Sequence, residues 1–230
     1  MQRIINPEMK WNQLANSYSQ QIRNYEDFPF DVLERFENVK FLEAGSGDGE
    51  IAIYMAKEKN CEVVGLEIAD SFIEIAEKKI KERNIDNITI LKGDVRKMPF
   101  KNETFDLVFS GGVIEHFPET FDSLREHVRV LKKDGYFLIG VPCKQGLHYP
   151  LKILMNLFRV WNIGYEKSFS KKYFQSKLIE NGLEIENSFF LPLQESSNQN
   201  SFRYFFTKIF SQIDKLTFGT HMQYYLCKKR

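Results

Sequence analysis

A cluster of glycines set between an apolar stretch and an amphipathic one constrains this chain more than any other feature. Val39–Ala44 is short and apolar and stops at Gly45-Ser46-Gly47-Asp48-Gly49, after which Ile51–Lys59 reads as a helix. A strand that enters a helix through glycines makes a tight turn whose main chain a ligand can approach closely. The next apolar run, Cys61–Leu66, ends in Glu67, 22 residues beyond Gly45. A carboxylate at that distance stands beside the loop and can accept hydrogen bonds from ribose hydroxyls. The spacing is GxGxG, not the GxGxxG of a dinucleotide turn, and it lacks the Lys-Ser/Thr ending of a phosphate-binding loop. Glu43, two residues before Gly45, would repel a pyrophosphate but not a cationic amine or sulfonium. The expected ligand is therefore a nucleoside without a pyrophosphate.

Further along, helical and extended patterns alternate. Ser71–Arg83 carries Phe72, Ile75, Ala76 and Ile80 on one helical face. Asn87–Leu91 and Phe105–Ser110 read as strands, Phe121–Leu131 as a helix and Gly135–Val141 as a fifth strand. Lys171–Glu180 resumes as a helix, Leu183–Phe190 as a strand, and Met222–Cys227 as a closing strand. Alternation of this kind predicts an α/β fold, a doubly wound and mostly parallel seven-stranded sheet with ligands at its carboxyl edge. The expected organisation is a single domain over 1–230: a helical N-terminal segment at 1–38, a ligand-binding core at 39–142, and helical cap insertions at 143–169 and 191–215. Residues 8–36 have helical spacing, with Pro29 marking a break.

Several of these segments resemble the motifs of class I S-adenosylmethionine-dependent methyltransferases. Phe41–Glu50 is similar to their first motif and Val63–Glu67 to their second strand with its ribose-binding acid. Leu91-Lys92-Gly93-Asp94-Val95 resembles the segment that meets the adenine. Phe105–Ser110 with Gly111–Phe117 resembles the fourth strand and its loop, and Leu131–Ile139 the helix-turn-strand that follows. Order and spacing match across about 39–142, nearest to the small-molecule group that includes the quinone-biosynthesis enzymes. S-adenosylmethionine has an ammonium, a sulfonium and a ribose and no phosphate, which agrees with the loop chemistry. The resemblance implies that Glu43, Gly45 and Gly47 line the methionine end, that Ser46 and Gly49 of the same loop also bind the cofactor, and that Glu67 holds the ribose. It implies that Ile68 packs on the adenine, that Asp94 and Val95 cover its edge, and that Ser110 and Gly111 lie near the sulfonium. Trp11 and Tyr18 would close over the cofactor from the N-terminal segment.

Glu115 and His116 are the candidate catalytic pair, since either could deprotonate an acceptor and histidine titrates near neutrality. The alternative is a structural Glu-His turn, because alignment of acceptor, methyl and sulfur alone supplies much of the acceleration. His127, His148 and His221 lack metal-ligand spacing, so no metal is expected. Pro142-Cys143 resembles the nucleophilic Pro-Cys of cytosine C5 methyltransferases but follows the fifth strand where theirs follows the fourth, so no catalytic role is expected of Cys143. Cys61, Cys143 and Cys227 are scattered and odd in number, as in a reducing, cytoplasmic setting.

Lys and Arg number 32 against 31 Asp and Glu, a net charge of +1. That balance argues against duplex nucleic acid as the partner. A small organic acceptor is expected instead, with a lipophilic one favoured by 21 Phe and 10 Tyr. Lys152, Asn156 and Arg159 form a polar stripe in the first cap segment, and Phe202, Phe205, Phe206, Ile209, Phe210 and Ile213 an apolar face in the second. The two stretches either pack on each other and on the sheet as an ordinary cap, or form an apolar acceptor pocket, or touch a membrane surface to collect a lipophilic acceptor. The competing functions are a methyltransferase of RNA or protein, a non-catalytic S-adenosylmethionine-binding protein, and a nicotinamide-dependent oxidoreductase, the last disfavoured by the glycine spacing.

Overall fold

The computed structural model describes residues 8, 9, 11–13, 30–145, 148–157, 165–191 and 221–230. Seven strands form one sheet in the order β3-β2-β1-β4-β5-β7-β6. They are β1 (Lys40–Ala44), β2 (Glu62–Glu67), β3 (Ile88–Lys92), β4 (Phe105–Gly111), β5 (Leu131–Pro142), β6 (Leu183–Leu191) and β7 (Met222–Lys229). The helices are α1 (Glu50–Lys59), α2 (Asp70–Glu82), α3 (Thr120–Val130), α4 (His148–Leu157) and α5 (Lys171–Glu180). β1 through β5 pair in parallel, and β7 runs antiparallel between β5 and β6.

Both faces of the sheet are buried, which explains strands written as apolar runs instead of alternating ones. Leu42, Val108, Phe137 and Ile139 point into one core layer, and Phe41, Leu107, Phe109 and Leu138 into the other. The chain winds outward from β1 through β2 to β3, then returns to place β4 on the other side of β1. The strand order therefore reverses between β1 and β4, and a crevice opens at their carboxyl ends.

Some expected boundaries shift. Residues 8, 9 and 11–13 are helical, but Phe30–Val32 is a single 3-10 turn and the chain from 33 to 39 is not helical. Leu33 and Phe36 are core residues rather than one face of a helix, and the Asn38 N–H donates to the Lys59 carbonyl at 3.0 Å. β5 begins at Leu131, four residues before the expected Gly135, because Leu131 pairs with Phe105 across an irregularity in β4. Of the cap, α4 is described, whereas residues 158–164 and 192–220 lie outside the described residues, as does Tyr18. On α4 the expected polar stripe turns inward at Lys152, while Ile153 and Leu157 are exposed. Among the described residues, no helix is long and apolar enough to cross a membrane.

Candidate active site

The glycine loop is strapped to the end of β2 by its own main chain. The Gly45 and Ser46 amides both donate to the Leu66 carbonyl, at 2.8 and 3.1 Å. Gly45 has φ of 79°, and a Cβ there would stand 2.5 Å from Val113 Cγ2. Left-handed backbone and a neighbour at that distance leave glycine as the residue that fits. Gly49 is the N-cap of α1 and offers no side chain to the helix's open amides. Glu43 fills that role from β1: its Oε2 accepts from the Ala52 N–H at 2.8 Å, and it is buried. A carboxylate at a helix N-terminus is also favoured by the helix dipole. Ser46 is buried as well, with its Oγ lacking a hydrogen-bond partner.

Glu67 ties loop, strand and the following turn into one unit. Its Oε2 accepts from the Gly47 amide at 2.8 Å, and its Oε1 from the Ile68 and Ala69 amides at 2.8 and 2.9 Å. Three backbone donors on one carboxylate fix its position.

Beside this unit lies a cleft of about 570 Å³, counted to its open mouth. Gly45, Glu67, Ile68, Asp94, Val95 and Gly111 line it, so six of the residues singled out in the sequence meet there. Trp11 joins them, held by the Asn12 side chain, which accepts from the Ser71 N–H at 3.0 Å, and by a Glu8–Lys92 ion pair at 2.7 Å. Phe72, Gly93, Gly112, Val113 and Phe117 complete the lining. None of these five had been given a role, because apolar side chains and glycines in such positions read as ordinary core and turn. Glu43, Ser46, Gly47, Gly49 and Ser110 support the cleft from outside its lining; Ser110 Oγ donates to the Ala44 carbonyl at 3.2 Å and braces β4 against β1.

Asp94 is on the wall but engaged. Arg96 holds it in a fork, with Nε 3.0 Å from both carboxylate oxygens and Nη2 2.6 Å from Oδ2, and the Arg96 amide closes an Asx turn at 2.8 Å. Burial pulls the Asp94 carboxyl upward, but the Arg96 hydrogen bonds and charge outweigh it and hold the group below its usual range. The Arg96 guanidinium in turn lies 4.8 Å over the Phe117 ring.

Glu115 and His116 sit behind the lining, in a 3-10 turn over Ile114–His116. The Trp11 ring meets His116 edge-on, with centroids 4.9 Å apart. Burial, reinforced by the charge of Glu166, raises Glu115 well above the carboxylate range, and burial lowers His116.

The lining holds Glu67 and the Arg96-paired Asp94 and, among the described lining residues, no lysine or arginine, which suits a phosphate-free nucleoside. Residues 42–139 match a family profile described as a methyltransferase domain. Over that span the chain is similar to a methyltransferase domain. Its sequence is similar to the demethylmenaquinone methyltransferase of Bacillus velezensis, 31% identical over 118 residues that make up 50% of this chain and 51% of that protein. The chain thus spans about half the length of the curated relatives it matches. The methyltransferase fold extends further than the sequence likeness. A chain of the Haloferax volcanii complex containing the Trm112 methyltransferase activator superposes with a TM-score of 0.77 at 15% identity, covering 97% of both chains. The geranyl diphosphate C-methyltransferase of Streptomyces coelicolor, solved with Mg2+, geranyl diphosphate and S-adenosylhomocysteine, gives 0.68 at 13% identity, over 99% of this chain and 87% of that one.

Proposed function

We propose that this chain transfers a methyl group from S-adenosylmethionine to a small lipophilic acceptor. The observation that carries the reading is the cleft at the β1–β4 switch point, where Glu67 is pinned by three backbone amides and the described lining holds no basic residue. In this reading Glu67 binds the ribose, and Ile68 and Val95 pack on the adenine, with Asp94 at its edge. The loop from Gly45 to Gly49, braced by Glu43, takes the methionine end, and Ser110 and Gly111 adjoin the transfer point. Trp11 and Tyr18 close the N-terminal side. When bound, the cofactor supplies an electrophilic methyl group on a sulfonium; the protein's part is to align the acceptor behind it and exclude water. The cap segments at 143–169 and 191–215 complete one domain with the core and enclose the acceptor. The aromatic lining and the likeness to the Bacillus velezensis demethylmenaquinone methyltransferase support a lipophilic acceptor, and the buried thiols of Cys61 and Cys227 support a reducing, cytoplasmic setting.

Calorimetric titration separates the cofactor classes. S-adenosylmethionine and S-adenosylhomocysteine are expected to bind and NADH not to. Heat from NADH alone would move the chain to hydride-transfer chemistry.

A further inference from the structure

In the methyl-transfer reading Asp94 stands at the edge of the adenine, yet its carboxylate is already fully engaged. A carboxylate offers about four lone-pair positions. On Oδ1 the Arg96 amide donates at 2.8 Å and Arg96 Nε at 3.0 Å. On Oδ2 Arg96 Nε donates at 3.0 Å and Nη2 at 2.6 Å. Asp94 lines the cleft, so this fork belongs to the wall that a base would meet.

Several contacts keep the fork closed. The partners are two residues apart and share an Asx turn, so closure needs no distant element. The Lys97 amide donates to the Asp94 carbonyl at 2.9 Å and tightens the same turn. On its far side the guanidinium lies 4.8 Å over the ring of Phe117, itself a lining residue. A purine amino group reaching for Asp94 would have to break this two-pronged pair. It would replace bonds between two charged partners with a bond that has only one, which is uphill. The Arg96 and Asp94 side chains are 36% and 30% exposed, so solvent weakens the pair, but it weakens the competing bond as well. The pair is also neutral overall. A bare carboxylate would repel the carbonyl oxygen of an oxopurine, and a neutralised one does not.

Resting on the methyl-transfer reading, we propose that Arg96 is a specificity-determining residue: by holding Asp94, it leaves the base end of the cleft blind to the purine's exocyclic group. The site then takes amino- and oxopurine nucleosides with similar affinity. A site rejects the wrong polar group only where that group leaves a hydrogen-bonding partner unpaired, and here Arg96 keeps the partner paired whichever base is present. Affinity for the base comes from the apolar walls, Ile68, Phe72 and Val95, which meet its faces instead of its edge.

Calorimetry on the full chain tests this with S-adenosylhomocysteine and S-inosylhomocysteine, whose base carries an oxo group in place of the amino group. In the wild-type chain the two Kd values are expected to agree within about threefold, and a larger preference for the amino ligand overturns the proposal. Arg96→Leu frees Asp94 to accept from the amino group and presents a bare carboxylate to the oxo group. Preference for S-adenosylhomocysteine is then expected to reach about tenfold or more, the usual worth of a hydrogen bond to a charged group. Lost packing would weaken both ligands alike and leave their ratio where it was, so an unchanged ratio in Arg96→Leu also overturns the proposal. Should that variant fail to fold, hydrogen exchange in the wild-type chain decides. The Arg96 Nε–H, assigned through Arg96→Lys, is expected to exchange as slowly with S-adenosylhomocysteine bound as without it; faster exchange on binding means that the fork opens, and overturns the proposal. Binding of S-adenosylhomocysteine with rejection of its inosine analogue sinks this proposal alone, whereas no binding of either sinks the methyl-transfer reading beneath it.

Discussion

His127 is fully buried in α3, stacked on Phe137 with ring centroids 5.4 Å apart, and its Nδ1–H donates to the Ser123 carbonyl at 2.7 Å. Burial lowers its pKa from 6.5 to about 4, against smaller opposing contributions from Ser123 and Glu126. Between those two values the unfolded chain binds a proton that the folded chain rejects. Stability from this group is therefore fully present above pH 6.5 and falls as pH drops toward 4. The loss is limited to about 3 kcal/mol. His127→Gln should flatten the fall, which denaturant unfolding across that pH range measures; an unchanged slope would contradict the burial argument. At the same scale, the sequence left His127 unassigned beyond its lack of metal-ligand spacing. Its position on the buried side of α3 becomes visible only once Phe137 is seen packed against it.

The unit formed by the glycine loop and the end of β2 depends on one side chain. Glu67→Ala removes the acceptor for the Gly47, Ile68 and Ala69 amides. Stability should fall by on the order of 2 kcal/mol, the usual worth of hydrogen bonds to a charged group. S-adenosylhomocysteine affinity should fall about 10- to 100-fold, as calorimetry would read it. Glu67→Ala binding as tightly as the wild type would remove the carboxylate from the cofactor site. This unit was legible in the sequence because its parts are local: an apolar run, glycines where the backbone must turn, and an acid one strand away. The rest of the site was less so. Val113 and Phe117 look like any apolar residue after a strand, and only the fold brings them against Gly45 and Arg96. The Lys152–Glu166 pair joins two segments with no shared pattern, so Lys152 read as part of a polar stripe when it is in fact buried.

Across the whole molecule, parallel pairing of β1 to β5 puts the ends of β1, β2 and β4 at one edge, and the chain's reversal between β1 and β4 opens the cleft there. Alternating apolar strands and helices announced that architecture. The antiparallel β6–β7 pairing did not, since no tight turn links Leu191 to Met222 and strand direction leaves no trace in composition. The long span of β5 was hidden likewise, because Lys132, Lys133 and Asp134 resemble a turn yet lie within the strand. The central claim is that the crevice holds a phosphate-free nucleoside with its ribose on Glu67. A crystal structure of the chain with S-adenosylhomocysteine tests it most directly. Density for the ribose hydroxyls against the Glu67 carboxylate, with the adenine between Ile68 and Val95, is the predicted result; the ligand bound elsewhere, or Glu67 turned away from it, would contradict the account.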